Sequence, residues 1–180
     1  MEFETIHTER LILRKLTPEI YTDLFSNYEE SSIREILRIG NSDEYDKLLY
    51  RFKNGLSTFN RSFVYFQLLA SGTGELIGGC GYHTWYLDHD KAELGYYIDH
   101  ELYKNKGYMS EAILQILAYG FENMHLHRIE ACVGPNNVPS LKLMEKFGFS
   151  KEGLLRQHYL KNEVYEDSFV FSLLNEEYKG

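Results

Sequence analysis

The chain has 180 residues, 43% of them apolar and 26% charged, and 27 Asp and Glu against 19 Lys and Arg give a formal net charge of −8. That length and mixture suit one globular domain with a substantial core. The acidic balance argues against direct nucleic-acid binding, which needs clustered positive charge; it fits a cationic partner and, more simply, the ordinary solubility of a cytosolic protein.

The first residues, MEFETIHTERLILRKL, lack the basic-then-apolar pattern of a leader, and no stretch approaches the length of a membrane span. The expectation is a cytoplasmic protein with no membrane contact. Cys80 and Cys132 both fall in apolar, strand-like runs, which predicts buried free thiols in place of a disulfide or a metal site. His125 and His127 have no third ligand at metal spacing, so no metal is expected.

No repeat, low-complexity tract or linker divides residues 1–180, which predicts a single domain. In chain order, TERLILRKL alternates Leu11 and Leu13 with Arg10 and Arg14 and reads as the first strand. Thr17, a capping residue before Pro18, opens a helix through EIYTDLFSNY. A second helix is expected from about residue 43 to 59, with Tyr45, Leu48, Leu49, Phe52 and Leu56 on one side. SFVYFQLLA, the turn SGTG and ELIGGCGYH predict a hairpin, and KAELGYYI the next strand.

From Met109 the apolar residues Ala112, Ile113, Ile116, Leu117 and Phe121 share one helical face. HRIEACV is a strand, SLKLMEKF a short helix closed by Gly148, and LLRQHYL, the turn KN and VYEDSFVFSLL a final hairpin. The order predicts an α/β (α+β) architecture: a mixed, largely antiparallel sheet with one crossover.

The helix that opens near Gly107 to Ser110 raises a question of charge. Helix N-termini are partly positive and favour acids, yet Lys104 and Lys106 stand just before this one. Lysines belong there when a ligand brings strong negative charge onto the unpaired N–H groups, and Gly107 has no Cβ to keep such a ligand away. The alternative is two solvated loop lysines beside a turn glycine. Neither GxxxxGK[ST] nor GxGxxG is present, and GxSxG is absent too.

KAELGYYIDHELYKNKGYMSEAI, followed by RIEACVGPNNVPSLKLMEKFGF, resembles the two central motifs of the GNAT N-acetyltransferases. TERLILRKLT at the start and GLLRQHYLKNEVYEDSFVFSLL at the end resemble the RimJ/RimL-like branch, which acetylates protein N-termini and related amines. The resemblance implies the GNAT fold, a sheet with splayed middle strands flanked by helices, and acetyl-CoA as co-substrate. It implies that the amides of Asn105 to Ser110 wrap a pyrophosphate, with Lys104, Lys106, Gly107, Tyr108 and Met109 in that loop. Lys104 and Met109 depart from the family's [Gln/Arg]-x-x-Gly-x-[Gly/Ala] pattern. It further implies that Tyr96, Tyr97 and Ile98 pair with the pantetheine arm, the amide near Ile98 facing the thioester. Val133-Gly134 would break the pairing on the other side of the cleft. Asn137 and Ser140 would contact the thioester end.

An amine must lose a proton to attack a thioester, so a base is needed. Glu93 is the first candidate, because it shares a strand face with Gly95 and Tyr97 that can line the cleft. His83 is its rival, an imidazole being the side chain that titrates near neutral pH. Many family members use a tyrosine as the acid seven residues after the motif asparagine; Met144 stands there, leaving Ser140, Tyr97 or Tyr108 as donors to the thiolate. The acceptor implied is a protein N-terminus such as that of a ribosomal protein. A polyamine, an antibiotic-type small amine, or a non-catalytic acyl-CoA-binding module are the alternatives. The family resemblance also admits a homodimer.

Overall fold

Eight strands and five helices alternate in the computed structural model, which describes residues 1–180. Strands β1 (Thr5–His7) and β2 (Leu11–Leu16) lead into helices α1 (Pro18–Asn27), α2 (Glu30–Leu37) and α3 (Ser42–Lys53). Strands β3 (Arg61–Ala70), β4 (Leu76–Tyr86) and β5 (Lys91–Ile98) follow, then α4 (Tyr108–Ala118), β6 (Arg128–Val133), α5 (Val138–Lys146), β7 (Ser150–Lys161) and β8 (Val164–Leu174). They form one open sheet in the order β1-β2-β3-β4-β5-β6-β8-β7. Every neighbouring pair is antiparallel except β5 and β6, whose parallel pairing needs the crossover through α4.

The sheet buries both faces. On one, Ala112, Ile113, Ile116 and Leu117 of α4 pack into a core with Leu11, Leu13, Phe66, Leu68, Cys80 and Tyr82. Full burial of each such Ile or Leu is worth about 1.5–3 kcal/mol. The Tyr82 hydroxyl, inside this core, donates to the carbonyl of Ile116 at 2.7 Å. On the other face, Leu16, Leu24, Ile33, Leu37 and Tyr45 form a second cluster under α1 to α3. Tyr65 packs against this second cluster and Phe66 belongs to the first, as side chains alternate along a strand.

The hairpin strands, β5, β6, α4 and α5 fall where hydrophobic periodicity put them. Four details differ. A short strand, β1, precedes the first expected one and pairs with it, Ile6 opposite Leu13. The early helices number three: the run Glu30–Leu37 forms α2, and α3 stops at Lys53, which leaves Leu56 outside it. Thr17 occupies the N-cap of α1, but its side chain makes no cap hydrogen bond; Pro18 in the first turn sets the start. The last hairpin turns at Asn162 and Glu163, φ 48° and 65°, one residue later than KN.

Gln67 ties the second cluster to the sheet. It is buried, accepts from Arg14 Nε at 2.9 Å, and donates to the carbonyl of Leu37 at 2.7 Å, the last residue of α2. Replacing it with Leu strands a guanidinium and a carbonyl, at about 1–3 kcal/mol for each buried group left unpaired. Gln67→Leu is therefore expected to lower the melting temperature by roughly 2–4 °C per kcal/mol lost. A wild-type melting temperature would show that this network holds nothing.

Candidate active site

Strands β5 and β6 pair only at Lys91–Arg128, Ala92–Ile129 and Glu93–Glu130. Beyond that point they part, although each stays bonded on its outer edge: β5 to β4 as far as Ile98–Gly78, and β6 to β8 as far as Val133–Phe169. The expected break at Val133-Gly134 therefore lies three residues too late. The pairing ends at Glu130, ahead of that glycine, while β6 stays with β8. Asp99 N–H donates to Ile77 O across β4 at 3.1 Å, and backbone direction alternates along a strand, so the Ile98 N–H faces the opening. A peptide edge exposed inside a sheet wants partners, and the amides of a pantetheine arm match it.

The opening ends in a cleft of about 240 Å³ that Glu93, His83, Tyr96, Ser140 and Asn137 all line. Glu93 is its centre. His83 Nε2 lies 3.5 Å from Glu93 Oε2, and the Tyr159 hydroxyl donates to Oε1 at 3.4 Å. The hydrogen bond from His83 is the main force holding the Glu93 carboxyl below the usual range, against the opposing effect of burial. Gly95 makes the pair possible, since a Cβ there would come within 2.7 Å of His83 Nδ1. The two residues that competed for the base thus stand side by side.

Asn137 caps α5 as its sequence suggested, its Oδ1 accepting from Ser140 N at 3.3 Å. Ser140 lies beside Tyr96, whose buried hydroxyl has no hydrogen-bond partner. Burial raises the Tyr96 pKa, and the neighbouring Ser140 hydroxyl offsets this in part. An orphaned phenol beside a hydroxyl at the end of an open strand is chemistry that a thioester can satisfy. Tyr97 goes elsewhere: its ring is on the opposite face from Tyr96, exposed and stacked on Tyr65 at 6.4 Å between centroids.

Two cleft residues were not foreseen. Cys132, read as buried, is half-open and faces Glu93; burial first, and then that carboxylate, push its thiol up to about 12. Tyr159 arrives from β7 through a bulge in which residues 156 to 158 face residue 167 alone. Gln157 takes φ 53° there, and its amide donates to Asp167 Oδ1 at 2.7 Å. Burial, then Glu93, raise the Tyr159 phenol to about 12. No motif marks either residue.

At the far end of β5 the chain reaches the loop. Asn105 and Gly107 take φ 56° and 85°, and Gly107 is the N-cap of α4 with no side-chain cap bond. The first N–H groups of the helix are thus left for an anion. Lys104 pairs with Glu101 at 2.5 Å, while Lys106 is exposed. The Met109 side chain is buried in the core under α4, so its bulk lies away from the loop. Ser110 Oγ accepts from Lys146 Nζ at 2.6 Å, which brings an unforeseen cation from α5 to the first turn. An open strand edge leading to an uncapped helix start with lysines is a donor set that fits a CoA thioester.

A second recess, of about 360 Å³, opens on the α1–α3 face beside Tyr97. Tyr21, Tyr65 and Tyr97 line it with Arg38, Arg51 and Asp99, and burial pushes Tyr21 up to about 12. Glu93 and Tyr97 share that face of β5, which places the recess on the same side of the sheet as the carboxylate.

Residues 10–150 match the acetyltransferase (GNAT) domain family. The chain is 34% identical over 179 residues to the uncharacterized N-acetyltransferase p20 of Bacillus licheniformis, covering 98% of this chain and 99% of that one. It is 30% identical over 120 residues, 62% of this chain and 58% of the other, to the ribosomal protein uS5-alanine N-acetyltransferase of Escherichia coli. A crystal structure of a GNAT-family acetyltransferase from Bacillus anthracis superposes with a TM-score of 0.67 at 27% identity, covering 97% and 100% of the two chains. The parted strands and the loop before α4 lie inside the matched region, and the chain belongs to the GNAT family as an N-acetyltransferase.

Proposed function

We propose that the protein transfers the acetyl group of acetyl-CoA directly to a primary amine, and that this amine is the N-terminus of a protein such as a ribosomal protein. The observation that carries the chemistry is the Glu93–His83 pair at the point where β5 and β6 part. The acceptor rests on the relative that acts on alanine of ribosomal protein uS5.

Acetyl-CoA supplies an activated acyl carbon and a thiolate leaving group. The amides of Asn105 to Ser110 and the charges of Lys104 and Lys106 would hold its diphosphate, and the open edge of Tyr96 to Ile98 its pantetheine arm. Ile98 N–H is fixed in place before any charge develops on the acyl oxygen, which is what makes such a donor effective.

Glu93 alone is a weak proton sink, because its carboxyl is held below the usual range. Its ionised form draws an ammonium into the cleft and orients His83; the imidazole takes one proton to free the nitrogen lone pair, the neutral amine bonds to the acyl carbon, and the C–S bond breaks with the second nitrogen proton leaving on the CoA thiol. The resulting imidazolium faces a carboxylate at 3.5 Å. Tyr159 steadies Glu93 from the other oxygen. Met144 is fully buried and cannot donate, so Ser140, next to Tyr96, gives the hydrogen bond to the departing sulfur.

Release of free CoA thiol from acetyl-CoA, measured with N-terminal peptides, polyamines and small amines, tests the assignment. The peptides are expected to turn over fastest. Faster turnover of a polyamine would overturn the acceptor, and no turnover with any amine would leave an acyl-CoA-binding module.

Glu93→Gln is expected to cut kcat about 10²-fold, because the His83 base loses the carboxylate that orients it and faces its imidazolium, and Ser140→Ala by a smaller factor. Both should retain CoA affinity by calorimetry. A variant with wild-type turnover would remove its residue from the mechanism.

The pH dependence has a definite sign. A carboxyl with a lowered pKa is ionised throughout the range above it, so activity should show no Glu93-dependent fall near the ordinary glutamate value of about 4.3 or higher. A limb in that range that disappears in Glu93→Gln would contradict the arrangement.

A further inference from the structure

The run TERLILRKL carries an arginine that the chemistry above does not use. Arg10, between β1 and β2, reaches across 101 sequence positions to α4. Its Nε donates to Glu111 Oε2 at 2.7 Å, its Nη2 lies 2.7 Å from the same oxygen, and its own amide donates to Oε1 at 2.8 Å. Thr8 Oγ1 donates to that second oxygen at 2.5 Å. The remaining arm, Nη1, donates to the carbonyl of Lys106 at 3.0 Å, and the guanidinium lies over the Tyr108 ring at 4.3 Å. Each arm of the fork is engaged, and each contact lies in or beside the loop that precedes α4.

Two consequences follow from elementary geometry and charge. The chain has no cis peptide bonds, and in a trans peptide the C=O and the next N–H point in opposite directions. With the Lys106 carbonyl turned to Arg10, the Gly107 N–H is aimed away from it, to the other side of the loop. Glu111, in the first helical turn, would repel a bound anion; Arg10 cancels that charge where it stands.

We infer that Arg10 is the positioning residue of the phosphate loop: it holds the 106–107 peptide in the orientation that presents Gly107 N–H to the diphosphate of CoA. This rests on the acetyl-CoA reading above. Arg10 itself is not required to touch the ligand, and a lysine could not replace it, having one donor group in place of a planar fork.

The test compares wild type with Arg10→Ala, Arg10→Lys and Lys15→Ala, the last breaking the equally short Lys15–Glu4 ion pair at 2.7 Å in the same β1–β2 unit. Calorimetry with CoA is expected to show about tenfold weaker binding in Arg10→Ala and no full recovery in Arg10→Lys. Lys15→Ala should bind as wild type does. The Gly107 amide resonance should move in the ligand-free Arg10 variants, and the KM for acetyl-CoA should rise while kcat at saturation and the acceptor KM stay within about twofold. Wild-type CoA affinity in Arg10→Ala would overturn the inference, as would full recovery in Arg10→Lys, which would reduce the role to charge alone. Arg10→Lys and its Gly107 resonance carry the test if the alanine variant does not fold. A wild-type protein that binds no CoA would instead sink the acetyl-CoA reading.

Discussion

The structure depends on a shortage of partners. Strand β5 is bonded to β4 along its whole length, and β6 to β8, yet only three residue pairs join β5 to β6. The sheet is therefore two well-made halves joined at a short seam. Peptide groups that face the gap can be satisfied by water or by a ligand that offers its own amides, and unpaired groups in a dry interior are costly. Around that wedge lie Glu93 at its closed end, Tyr96 and Ser140 along it, and the uncapped start of α4 beyond its open end.

The same division explains the electrostatics. The chain is strongly acidic, but its central carboxylate is half-buried and hydrogen-bonded. The hydrogen bond from His83 holds the Glu93 carboxyl below the usual range, the Tyr159 hydroxyl meets its other oxygen, and burial first, then Glu93, keep the Cys132 thiol protonated. A thiol so suppressed is a poor nucleophile. Helices α1 to α3 wall the recess beside Tyr97, to which Leu37 at the end of α2 and Arg38 just after it contribute.

Much of this was legible in the sequence, for a physical reason. Strands β5 and β6 and helix α4 carry clean alternation or helical spacing because each buries one face in the core, whereas β3 and β4, buried on both faces, read as continuous apolar runs. Asn137, as a helix cap, and Glu93, on the cleft-facing side of its strand, followed from the same local rules. The misses are non-local. β1 has three residues with one inward side chain, too short for a pattern. Tyr159 reaches Glu93 only because a bulge around Gln157 re-aims its strand, and nothing in HYL announces a residue at φ 53° two positions earlier. Arg10 and Glu111 meet over 101 positions, so neither end alone reveals the pair. The parting of β5 and β6 was placed at a glycine, the residue with a local excuse, whereas the pairing already ends at Glu130 and each strand continues with its outer neighbour.

Amide hydrogen exchange with and without CoA tests the wedge most directly. Leu94, Tyr96 and Ile98 on β5, together with the facing edge of β6, should exchange faster than β4 in the free protein and slow markedly when CoA is added. Unchanged exchange along that seam, with CoA protecting some other part of the sheet, would contradict the account.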